Sequence, residues 1–60
     1  MIEAKLKYNQ GFFEIIIEGD YVLCAVSGKK ILIKDLKYWN VELQEAYFSP
    51  FEVAKKFRNV

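Results

Sequence analysis

The sequence predicts an α+β fold: a small antiparallel β-sheet of about four short strands, followed by one or two short C-terminal helices. Three observations predict it. The first half of the chain alternates apolar and polar residues, or runs through β-branched and aromatic ones, between turns that contain glycine. The second half changes to helical spacing. The length suits one domain, 1–60, and no linker, repeat or low-complexity stretch divides it.

Ile2, Ala4, Leu6 and Tyr8 alternate with Glu3, Lys5 and Lys7, which reads as a first strand. Asn9-Gln10-Gly11 is a turn, and Phe12 to Glu18 is a second strand rich in β-branched and aromatic residues. Gly19-Asp20 is the next turn. Tyr21 to Val26 is almost continuously apolar and predicts a buried third strand. Ser27-Gly28-Lys29-Lys30 turns the chain into a short fourth strand, Ile31 to Ile33, and Lys37 to Trp39 is extended as well.

Asn40 is a good helix N-cap, so Val41 to Phe48 is expected to be helical, with Glu42 and Glu45 near its start. A second helix is expected from Pro50 to about Arg58. Ser49 is its N-cap, Pro50 suits the first helical position and Glu52 completes a capping box. Phe51, Ala54 and Phe57, widened by Val53, form its expected buried stripe.

Composition narrows the classes of function. Hydrophobic residues make up 53% of the chain and aromatic ones 17%, so a dense, aromatic core is expected. A domain of this size buries only about 60% of the surface of its unfolded chain, which leaves a thin stability margin and favours oligomers or partners. Nine basic and eight acidic residues leave a net charge of +1, less than a dedicated nucleic-acid binder usually carries. The single cysteine, Cys24, can form no intramolecular disulfide. The first residues do not resemble a signal peptide, and no apolar run approaches the roughly 20 residues needed to span a bilayer. A cytoplasmic protein without membrane attachment is expected.

Candidates for chemistry are few. The chain has no histidine, the commonest general base and metal ligand. Cys24 lies in an apolar stretch, where burial raises a thiol pKa and leaves it inert. One sulfur cannot build a four-ligand zinc site. Glu42 and Glu45 share a helical spacing but read as solvated surface, and the glycines are isolated turn residues rather than a phosphate loop. No catalytic residue, cofactor or metal is expected, and the protein reads as a non-enzyme.

The segments Cys24-Ala25-Val26-Ser27-Gly28 and Tyr38-Trp39-Asn40-Val41, with Gln44-Glu45-Ala46-Tyr47, carry a family resemblance. Over about residues 19 to 58 the chain resembles a family of small uncharacterised bacterial proteins, a domain of unknown function. Its signature runs C-A-V-[ST]-G, then L-x-Y-W-[SN]-V-x-x-Q-E-A-Y. The spacer here is rich in lysine and isoleucine where the family pattern contains proline. The resemblance implies no activity. A weaker likeness is to zinc knuckles: Cys24 keeps one ligand position, Ser27 stands where a second would be, and Trp39 and its neighbours are expected to fill the place of the metal.

Two modes of contact remain. The first is a protein interface, either to an unidentified partner or in a homodimer, with Tyr38, Trp39, Tyr47 and Phe48 as contact candidates, because aromatics dominate interface energetics. The second is weak nucleic-acid binding by Lys29, Lys30, Lys34 and Lys37 beside Tyr38 and Trp39. Acidic Asp35 inside the lysine cluster and the low net charge favour the plainer alternative, in which the lysines are solvated and the aromatics close the core.

Overall fold

The computed structural model describes residues 1–57. It is α+β, with six short strands and one C-terminal helix. The strands are β1 (Lys5–Asn9), β2 (Phe12–Ile17), β3 (Tyr21–Leu23), β4 (Lys30–Leu32), β5 (Tyr38–Asn40) and β6 (Glu45–Tyr47). A 3-10 turn, Ile33–Asp35, separates β4 from β5, and α1 covers Pro50–Lys56. The expected helix end at Arg58 lies outside the described residues.

Instead of one four-stranded sheet, the strands form three antiparallel hairpins, β1–β2, β3–β4 and β5–β6. Single parallel bridges join them, Glu3 to Tyr21 and Cys24 to Ala46. Gln10-Gly11 links β1 to β2, and Gly11 has the positive φ (81°) that lets the turn be so tight. Gly19 is fixed by a close approach: a Cβ there would lie 2.4 Å from the backbone nitrogen of Ala4. That contact brings the start of the chain against β3, where Ala4 N–H donates to the Tyr21 carbonyl (2.7 Å).

The core draws on all three hairpins. Ala4, Leu6, Tyr8, Val22, Cys24, Ile31, Leu36 and Ala46 form one buried cluster, flanked by Phe13, Val26, Ile33 and Trp39. On β1 the expected alternation is present, with Leu6 and Tyr8 inside and Lys5 and Lys7 outside.

Three expectations need correction. The predicted strand Tyr21 to Val26 stops at Leu23, because residues 25–27 turn around Cys24. The predicted helix Val41 to Phe48 is a turn followed by β6. Asn40 does cap, since its Oδ1 accepts from Leu43 N–H (2.8 Å), but the same chemistry also closes a loop. Gln44, at φ 52°, then reverses the chain so that Ala46 and Tyr47 pair with Trp39 and Tyr38.

The third correction concerns α1. Ser49 caps it as expected, accepting from Phe51 N–H (3.2 Å), with Pro50 in the first turn. The buried side is different: Phe51 is 74% exposed, Phe57 is 57% exposed and Ala54 is exposed. The buried residue is Glu52, whose carboxylate meets the Ser49 hydroxyl. The reciprocal bonds of a capping box are replaced by this side-chain contact, which faces inward and turns the phenylalanines toward solvent.

Candidate functional site

The four aromatic contact candidates separate into two groups. Tyr47 and Trp39 support the fold. Tyr47 is 2% exposed, and its hydroxyl donates to Glu45 Oε1 (2.8 Å). Burial and that carboxylate push the Tyr47 phenol up to about 12. The Glu45 carboxylate is held below its usual range by the same hydroxyl and by Lys56, whose Nζ lies 3.0 Å from it. Trp39 is half-buried, stacks on Tyr8 (5.9 Å), meets Phe13 edge-on (5.6 Å) and donates Nε1–H to the Asn9 carbonyl (2.8 Å). Its ring ties the β5–β6 hairpin to the tip of β1–β2. Tyr38 and Phe48 are exposed.

Tyr38, Trp39 and Tyr47 nevertheless share one hollow of about 440 Å³ with Gly11, Lys37, Val53 and Phe57. Of the four candidate lysines only Lys37 reaches it. Lys29 lies over the Phe48 ring and Lys30 over the Tyr21 ring, each 5.0 Å from the centroid. Lys34 lines a separate hollow with Met1, Gly19, Asp20, Leu32 and Ile33.

Cys24 sits in a polar cradle. Its Sγ accepts from the N–H groups of Val26 and Ser27, both at 3.4 Å. Burial pushes the thiol up, but hydrogen bonding, from Ser27 first and from the Val26 N–H, outweighs it and holds the thiol below its ordinary value. The expectation that burial alone sets this pKa is therefore corrected. Glu52 lies close by, its carboxyl held low by the Ser49 hydroxyl, with Lys29 and Ser27 adding to the effect. Cys24 also belongs to the core cluster that Trp39 flanks, and the Trp39 ring itself is engaged with Tyr8 and Phe13. Among the described residues, no three His, Cys, Asp or Glu side chains gather as a metal site would require.

Sequence reasoning missed the exposed apolar side chains of β2. On β2, Phe12 is 57%, Ile15 46%, Ile16 58% and Ile17 54% exposed. Their β-branched and aromatic character marks a strand correctly, but it does not say that nothing covers the strand. A second omission is Gln44. Its side-chain amide takes the place of a neighbouring strand, accepting from Tyr8 N–H (2.9 Å) and donating to the Tyr8 carbonyl (2.8 Å).

Residues 15–56, well over half of the chain, match the family described as uncharacterised proteins conserved in bacteria (DUF2093), and the chain belongs to that family. No curated protein and no solved structure matches it. The residues that carried the resemblance now have structural roles: Gln44 binds the edge of β1, Glu45 holds Tyr47 and Lys56, and Ala46 bridges to Cys24. Among the described residues, no helix is long and apolar enough to cross a membrane.

Proposed function

We propose that the protein is a non-enzymatic contact domain that acts by binding a protein surface, a second copy of itself being the first candidate. One observation carries this reading: β2 is the outer strand of a two-stranded sheet and leaves Phe12, Ile15, Ile16 and Ile17 about half exposed. A two-stranded hairpin is marginal in water, which favours covering these exposed apolar side chains. Two of the four aromatics expected from sequence, Trp39 and Tyr47, are committed to the fold, so β2 is preferred to that set as the contact surface.

Sedimentation equilibrium of the purified chain tests the reading. The unmodified protein self-associates in the micromolar range, and the Ile15→Lys, Ile17→Lys double variant, folded by circular dichroism, is monomeric. A chain that stays monomeric at every concentration counts against self-contact.

Nucleic-acid binding is the second reading, favoured by Lys37 at the hollow that holds Tyr38 and Trp39. Titration of single-stranded RNA or DNA against Trp39 emission tests it. Quenching that salt reverses supports it, and an unchanged spectrum removes it.

A further inference from the structure

The contacts of β1 determine which backbone groups of the hairpin are free. Tyr8 gives both its N–H and its carbonyl to Gln44, on the side away from β2. Ala4 N–H likewise goes to Tyr21, away from β2. Backbone direction alternates along a strand, so Leu6 also faces away, while Lys5 and Lys7 face β2. The register pairs Tyr8 with Phe13, Lys7 with Glu14 and Leu6 with Ile15. Glu14 is therefore hydrogen-bonded within the hairpin, and the N–H and C=O groups of Phe13 and Ile15 point out of its open edge. Beyond Ile15 the register slips, Ile17 pairs with Lys5 and the strand turns its backbone inward again. The free edge is short and ends at this irregularity.

We propose that this edge pairs antiparallel with the same edge of a second copy, about a two-fold axis at Glu14. The inference rests on the contact-domain reading and names its partner. A two-fold axis perpendicular to a sheet sets one residue opposite its own copy. With Glu14 there, each Phe13 lies opposite Ile15 of the second copy, and both edge N–H and both edge C=O groups of each chain are bonded. With Ile15 at the axis, only its own pair would form, because Ile17 faces inward.

The remaining features agree with the Glu14 axis. Phe13 and Ile15 share one face, so the pairing builds a continuous apolar patch there. On the other face each Glu14 has Lys7 opposite it and accepts from Asn9 Nδ2 (3.0 Å), so the like-charged pair is flanked by cations. The free edge offers two residues per copy, Phe13 and Ile15, so the pairing is short and the dimer weak. Because the two-fold contact uses the same edge of both copies, it closes on two copies rather than extending into a fibre.

Cysteine cross-linking in the full chain tests this, with the unmodified protein, which carries only Cys24, as control. Residues directly opposed in the non-hydrogen-bonded position have Cα atoms about 4.5 Å apart, within disulfide reach. Glu14→Cys is expected to give a covalent dimer under mild oxidation, and Phe12→Cys none. Glu14→Gln, which removes the repulsion, is expected to tighten association about two- to five-fold. Preferential linking through Ile15→Cys would overturn the Glu14 axis. A dimer in sedimentation that none of these cysteines links would overturn the β2 pairing while leaving the contact-domain reading intact. A monomer at all concentrations, with no linking, would overturn both.

Discussion

Gln44 occupies the left-handed region at φ 52°, which costs a residue with a side chain about 1 kcal/mol. The cost is offset by two hydrogen bonds to Tyr8 and a third from Nε2 to the Val41 carbonyl (2.7 Å). Gln44→Ala removes all of them and keeps the strain, so a loss of about 2 kcal/mol is expected in urea unfolding. Gln44→Gly relieves the strain and is expected to lose about 1 kcal/mol less. Tyr47 makes a prediction in pH. Burial and Glu45 raise its folded pKa from 10.0 to about 12, so folding favours the neutral phenol. Its contribution to stability is complete below pH 10 and is lost as pH rises toward 12. Tyr47→Phe is expected to flatten stability across that window. Glu52 works in the opposite sense. Its carboxyl is held low, so its contribution is present above the usual carboxylate range and is lost as acid protonates the folded state.

Among the elements, α1 shows most clearly how far a pattern reaches. Its start was legible in Ser49, Pro50 and Glu52, and Ser49→Ala is expected to cost about 1 kcal/mol. Its buried side was not legible. Apolar spacing named Phe51, but the ring is 74% exposed, and Phe51→Ser is expected to change stability by less than about 0.5 kcal/mol. The stripe failed because in a helix of two turns the buried carboxylate and the Lys56–Glu45 contact decide the rotation, not the apolar period. The segment Val41 to Tyr47 failed differently. Asn40 supplies the same capping bond to a helix or to a loop, and only the long-range pairing of Ala46 with Trp39 and with Cys24 selects the strand. The β1–β2 hairpin was legible because its period of two and its glycine turn are local signals.

For the molecule as a whole, the class and the family were legible in the sequence, whereas the division of its candidate aromatics into buried and exposed residues was not. Tyr38, Trp39, Tyr47 and Phe48 are the residues a sequence reader selects, because aromatics serve both cores and interfaces. Burial sorts them, and burial follows from how three hairpins meet. The exposure of the β2 isoleucines was not legible because β-branched composition marks a strand without saying what covers it. In the proposed dimer, pairing this strand with its copy relieves the thin stability margin of a short chain. Amide hydrogen exchange as a function of protein concentration tests that most directly. Edge pairing predicts that the Phe13 and Ile15 N–H groups exchange slowly in concentrated protein and faster on dilution, while Glu14 N–H, bonded inside the hairpin, changes far less. Exchange of Phe13 and Ile15 at the rate of a free peptide at every concentration would show the β2 edge open to water and contradict the claim.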